Sequence, residues 1–488
     1  MKEENIPLEI KAFFKFFPGQ TLLVKGKPGT GKTIFAFEIL RDVCDERNGL
    51  YFSTRVTPDK LYELFPWIKD IVPEKNIVNA TPNKILKVFG SETELIKRPF
   101  DFGSALSFFK MLYEDAEDMD NPMVVIDSWD AVLSYINLKN QGVSLTQNLC
   151  ELCHEVGTHL ILISETADQT LLEYVVDGVV TLSDTEIRGE AVDGQVYSEQ
   201  LSSRTARQIE LNKLRGVKRE QKSYVFTLEN GRFRYFPPYS RPTIPRLDPI
   251  LDIDEDHRSS GIKNLDNITG GLEKGGITLF VVEHGVGLRY VPFLDQIAMN
   301  LCNKDIGVVR VHSIGASLLK DYELFNKVDS LYQFKPKTWI TWRLEKLFPT
   351  TSDYMDFLEV TKKENSEILE LSLMESRKEY AEFLEQLRGK HSSIVEFLGL
   401  DTFETLYGAD NTLKLLDEAI SRAVENKEAL IAVAKRGMKS VEMITKLANV
   451  HFVFKDIMGS MFIYGVQPRT GLFNISSDEQ GIHLTPVV

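Results

Sequence analysis

Residues 24–37 read VKGKPGTGKTIFAF, and residues 278–291 read TLFVVEHGVGLRYV. The first stretch fits G-x-x-x-x-G-K-[ST], with the apolar strand TLLV ahead of it and the helix-forming IFAFEIL behind, the setting a phosphate-binding loop requires. Gly26, Gly29 and Gly31 permit backbone turns that a side chain would obstruct, so successive N–H groups can face phosphate oxygens. Lys27, Pro28, Thr30 and Ile34 complete the expected cradle around them, and the following helix turns its positive end to the same anion. Lys32 is expected to reach the β and γ phosphates of ATP, and the Thr33 hydroxyl to hold Mg2+. The second stretch has the same strand, turn and helix without the working side chains.

From these two stretches a repeat spreads outward. The strand after each helix recurs as GLYFST at 49 and GVVRVHS at 307, and the separations Thr21 to Thr278 and Gly49 to Gly307 agree within one residue. An apolar strand ending near aspartate follows, MVVIDSWDAV around Asp127 and VEFLGLDTFETLYG around Asp401, and THLILISE is matched by EALIAVAK. Nearly continuous apolar strands alternating with helices predict α/β domains, each a mostly parallel sheet covered on both faces. Two tandem copies are expected, residues 1–245 and 246–488, joined by the proline-rich, then acidic, FPPYSRPTIPRLDPILDIDEDHR read as an extended linker. The second copy holds extra residues before its aspartate, a helical insertion near 320–390. In it Leu369, Leu373, Tyr380, Leu384 and Leu387 form one stripe, expected to pack on its own domain.

Composition narrows the setting. The 488 residues are 43% hydrophobic and 26% charged, with a formal net charge of −14, which argues against a non-specific coat on nucleic acid. No apolar run nears the ~18 residues that span a bilayer, the start lacks a signal peptide's pattern, and four cysteines are too few for a disulfide framework. A cytoplasmic protein without membrane contact is expected. CELCH, Cys150 to His154, matches a haem-attachment pattern but falls in a helical stretch and is read as a buried thiol pair. The eight histidines are scattered without zinc spacing.

Asp127 closes the strand MVVID downstream of the intact loop and is the expected second Mg2+ partner. The loop, VVIDSWDAV and RQIELNKLRG together resemble the RecA superfamily, and within it the KaiC-like ATPases. SSGIKNLDNITGGLEKGGITLF resembles the opening of a further KaiC-type domain. A narrower resemblance is to archaeal P-loop proteins of the gas-vesicle regulator GvpD type. The resemblance implies two tandem RecA-like domains and a homo-oligomer with nucleotide near subunit interfaces. It also implies a regulatory role through a protein partner that the residues do not name. It implies too that Lys213 and Arg215 touch the γ-phosphate held by a neighbouring subunit, a catalytic contribution alongside Lys32 and Asp127. KLRGVKREQK can equally be a solvated hairpin or a polynucleotide contact.

Family members that hydrolyse ATP well usually carry glutamate just after the second strand; here Thr54 and Arg55 stand there, and neither serves as a general base. Asp130 and Glu165 are possible substitutes, and Arg55 can offer its charge to the γ-phosphate or form a salt bridge. The expectation is firm ATP binding with slow hydrolysis, a nucleotide switch and weak ATPase.

In the second copy, a gapless register puts Glu283 at the first glycine, Leu288 at the last, Arg289 at the lysine and Tyr290 at the threonine. Shifting by one residue recovers Gly285 and Gly287 but leaves Leu288 at the lysine. Neither register supplies a Mg2+-binding hydroxyl, and Glu283 would repel phosphate, so this copy is expected to be a scaffold or interaction surface. The rival reading is a recombination accessory ATPase of the RadA-paralogue kind, gripping single-stranded DNA with Arg204, Arg207, Lys218, Arg219, Lys222 and Tyr224.

Overall fold

The apolar strands anticipated from sequence assemble into two large sheets in a computed structural model, which describes residues 5–44, 48–79, 122–135, 142–168, 170–187, 204–242, 247–304, 306–311, 313–314, 380–382 and 384–488. The chain divides into two units, Met1–Pro237 with Val487–Val488, and Pro238–Pro486.

In the first unit the strands are β1 (Thr21–Lys25), β2 (Gly49–Ser53), β3 (Ile77–Asn79), β4 (Met123–Asp127), β5 (His159–Ser164), β6 (Gly178–Glu186), β7 (Thr205–Leu214), β8 (Ser223–Thr227) and β9 (Arg234–Tyr235). They pair in the order β3-β2-β4-β5-β1-β6-β7-β8-β9. From β3 through β6 every pairing is parallel, and β7 to β9 extend the sheet antiparallel. Strand side chains alternate between faces, and both faces are apolar. Leu22 and Val24 of β1 join one core with Phe35, Phe37 and Ile39 of α2 (Lys32–Val43), while Leu23 joins another. The helix Gly142–Val156 faces that second core with Leu145, Leu149, Cys150 and Cys153. Burial pushes both thiols of the CELCH stretch up to about 12, which makes them inert core residues.

The second unit repeats the plan. Its strands are β10 (His257–Arg258), β11 (Leu272–Glu273), β12 (Ile277–Val282), β13 (Gly307–Val311), β14 (Ile394–Gly399), β15 (Ala429–Lys435), β16 (Val450–Ile457), β17 (Ser460–Gln467), β18 (Leu472–Asp478) and β19 (Gly481–Pro486). Strands β10 and β11 form a small ribbon, and the rest pair in the order β13-β14-β15-β12-β16-β17-β18-β19. Laid beside β2-β4-β5-β1-β6-β7-β8 of the first unit, the order and the switch from parallel to antiparallel coincide. The chain therefore holds two α/β domains of one topology, as the repeat predicts.

The division falls between Pro237 and Pro238 rather than at 245/246, because the expected linker packs on the second unit. Tyr239 donates its N–H to Gly459 and its hydroxyl to the Arg289 carbonyl, and Ile250 N–H donates to Asn300 Oδ1. The helical insertion lies largely outside the described residues, Leu369 and Leu373 included. Of its stripe, Tyr380, Leu384 and Leu387 pack against Val309 and Ile394 of their own domain.

Candidate functional site

Strand β1 ends at Lys25, and its chain turns into the glycine loop at the carboxyl edge of the sheet, where ligands of open parallel sheets bind. Gly26, Gly29 and Gly31 take φ of 153°, 85° and 90°. At Gly26 a Cβ would stand 2.5 Å from the Leu182 carbonyl oxygen, and at Gly31 it would stand 2.8 Å from the Leu228 methyls, so only glycine fits either place. Lys27, Pro28 and Gly29 form an exposed arch, while Thr30 folds inward and donates its hydroxyl to the Lys27 carbonyl at 2.9 Å. Ile34 anchors the first turn of α2 in the core.

Lys32 is buried and donates to the carbonyls of Gly26 and Lys27, each at 2.8 Å. Burial pushes its ammonium below the usual range, opposed by the charges of Asp127, Glu165 and Asp130. Carbonyls are weak counter-charges for a buried cation, and phosphate oxygens at the loop mouth would answer it fully.

Thr33 Oγ donates to Asp127 Oδ2 at 2.6 Å. That hydrogen bond spends the hydroxyl proton on the carboxylate and leaves the oxygen lone pairs for a cation, an oxygen donor set that suits Mg2+. The buried Tyr51 hydroxyl also donates to Asp127 Oδ2, and burial beside that charge raises its pKa, so it remains a donor. Tyr51 was not foreseen as a site residue, since a tyrosine inside an apolar strand reads as core. Thr54 is a staple: its N–H and hydroxyl donate to the Asp127 carbonyl, and its oxygen accepts the Ser128 N–H.

A scan against family models matches residues 10–195 to "GvpD gas vesicle protein, P-loop domain". Across 98% of its length this chain is 28% identical to Protein GvpD2 of Halobacterium salinarum, covering 94% of that protein. It is 31% identical to Protein GvpD1 of the same organism over 56% of this chain and 49% of that one. Circadian clock oscillator protein KaiC of Thermostichus vulcanus matches at 25% over 55% of this chain and 49% of its own. The family-model match falls within the first domain, which is similar to the GvpD-type P-loop proteins and, more distantly, to KaiC.

Around the phosphate loop, Arg55 forms an ion pair with Glu165 at 2.7 Å. Asp130, considered as a base, instead accepts the Glu165 N–H at 2.5 Å and the Ser164 hydroxyl at 3.3 Å, which makes it a support for the end of β5. Arg207, a candidate polynucleotide contact, donates to the Gly29 carbonyl and to Asp184, both at 3.2 Å, and so braces the loop arch. Two further residues of that candidate contact, Arg204 and Tyr224, are buried, and the Tyr224 hydroxyl donates to Glu9 at 2.6 Å. Lys222 pairs with Glu210.

Lys213 and Arg215 lie at the amino end of β1, the sheet edge opposite the loop, since Leu214 pairs Gly178 and Gly178 pairs Leu22. Lys213 Nζ donates to the carbonyls of Glu173 and Val176, and Arg215 pairs with Asp177 at 2.9 Å. Neither reaches the phosphate loop of its own domain.

The degenerate loop of the second domain is filled by its own side chains. Arg289 donates to the carbonyls of Val286, Gly285 and Gly459 and pairs with Asp456 at 2.6 Å. Tyr290 is buried where a metal-binding hydroxyl is expected, and Lys455 stands 3.8 Å from the buried Glu283. Asp401 receives Lys435 Nζ at 2.8 Å, a fixed ammonium on the carboxylate. Cationic side chains of the domain itself thus lie against carbonyls and carboxylates around this loop.

Among the described residues no helix is long and apolar enough to cross a membrane.

Proposed function

We propose that this protein is an ATP-dependent regulator whose first domain binds Mg·ATP, hydrolyses it slowly and changes its assembly or partner contacts as the γ-phosphate comes and goes. The observation that carries this reading is Thr33 donating to Asp127 at 2.6 Å at the head of α2, beside a loop only glycines can form. The loop N–H groups and Lys32 would hold the phosphates, and Thr33 with Asp127 would hold the magnesium ion, which supplies charge neutralisation between the β and γ oxygens. Slow turnover follows from the side chains after β2: Thr54 is consumed by backbone hydrogen bonds and Arg55 is a cation.

The matching family model, described as a gas vesicle protein, suggests gas vesicles as the setting in which such a regulator would act. In a homo-oligomer, Arg215, with Lys213 behind it, would face the nucleotide of the next subunit and couple phosphate state to assembly. Replacing both should weaken ATP-dependent assembly while the monomer stays folded; an unchanged oligomer profile sinks the role in trans. The first experiment is single-turnover hydrolysis of Mg·ATP with Lys32→Ala as control and oligomer size followed in parallel. Slow hydrolysis lost in the control, with assembly changing as ATP is consumed, is the expected result. Binding that survives in Lys32→Ala overturns the assignment of the site.

A further inference from the structure

We propose that Arg55 and Glu165 form a γ-phosphate sensor, in which the Arg55 guanidinium exchanges the Glu165 carboxylate for the terminal phosphate and so frees Glu165 to activate the attacking water. The inference rests on the ATP-binding reading above and deepens it.

Strand order is the first support. Arg55 follows β2 and Glu165 follows β5, and β4 lies between those strands, so the ion pair arches over the strand end that carries Asp127. Both residues stand on the carboxyl edge of the sheet with the loop, and the charges of both act on Lys32.

The second support is a contrast between roots and tips. The backbone under Arg55 is pinned by Thr54, which bonds twice to the Asp127 carbonyl. The backbone under Glu165 is pinned by Asp130, and the segment beyond it by Lys25, which donates to the Asp168 carbonyl and to Glu173. The side-chain ends are open, 52% exposed for Arg55 and 30% for Glu165. An exposed pair of this kind contributes little. A phosphate with more charge and more acceptor oxygens displaces the carboxylate readily.

Glu165 then supplies the base that is missing after β2. Its carboxylate takes a proton from water as the water oxygen bonds to the γ phosphorus. The bond from that phosphorus to the β,γ-bridging oxygen breaks, its electron pair leaves with ADP, and the proton passes on to the released phosphate.

The test measures the affinity of the full chain for fluorescent ATP and ADP analogues, together with single-turnover hydrolysis of ATP. Arg55→Ala should lower the preference for ATP over ADP by about tenfold. Glu165→Gln should raise that preference, by freeing Arg55, and slow hydrolysis by about a hundredfold. The double variant should match Arg55→Ala in its binding preference. Arg55→Lys, which keeps the charge and loses the planar fork, should fall between. An unchanged preference in Arg55→Ala, or wild-type hydrolysis in Glu165→Gln, overturns the sensor while leaving ATP binding intact. Failure of the unsubstituted protein to bind ATP through Lys32 overturns both readings.

Discussion

Asp127 Oδ2 accepts from two hydroxyls, Thr33 and Tyr51, and each bond has its own consequence. Thr33→Ala should cost Mg·ATP affinity about tenfold or more while the much weaker binding of metal-free ATP is kept, and Thr33→Ser should restore it; titrations with and without Mg2+ separate the two. His159 and His451 are buried imidazoles, one in each domain, and desolvation pushes each down to about 4. Gln20 N–H donates to His159 Nδ1, so that nitrogen is unprotonated in the fold. The unfolded chain takes up a proton near pH 6.5 that the folded one refuses until about pH 4. Stability is therefore full above pH 6.5 and falls as pH drops through that window, by about 3 kcal/mol for each imidazole. In His159→Asn or His451→Asn the loss of melting temperature between pH 7.5 and 4.5 should shrink by several degrees; an unchanged slope refutes the assignment.

At the scale of elements, the helix after the loop is joined to the sheet by more than apolar packing. Glu38 of α2 is fully buried and meets Arg232 at 2.5 Å, Arg41 at 3.0 Å and the Asn5 amide at 3.3 Å. The Arg232 guanidinium also lies 4.2 Å over the Trp67 ring. Arg232→Ala strips that buried carboxylate of its closest cation and should destabilise the first domain by about 3 kcal/mol in urea unfolding, and Arg41→Ala by less. Such a network cannot be read in sequence, because Asn5, Glu38, Trp67 and Arg232 are far apart in the chain. What could be read were the strands, since burial on both faces makes each a nearly unbroken apolar run, and the loop, since glycine geometry is local. The role of Thr54 was legible only as an absence of glutamate; its bonds to Asp127 need the fold that puts β2 beside β4. The same holds for Arg289 and Asp456, whose pairing needs β16 beside β12.

For the whole molecule, two copies of one topology with different loops predict one nucleotide per chain. Equilibrium dialysis should give a single ATP site, lost entirely in Lys32→Ala; a second site persisting in that variant contradicts the closed loop of the second domain. Saturating ATP at a hundred times its dissociation constant should stabilise the first domain by about 2.7 kcal/mol and leave the second untouched, seen as two melting transitions of which only one moves. The closed loop has a further consequence. Arg289 and Lys435 act as tethered ligands that cannot be diluted, consumed or outcompeted, so the second domain keeps its shape through starvation as through plenty. On the proposed reading, the first domain would follow the adenylate supply. The gap between their two melting points would then gauge cellular energy, with its zero mark written into the same polypeptide.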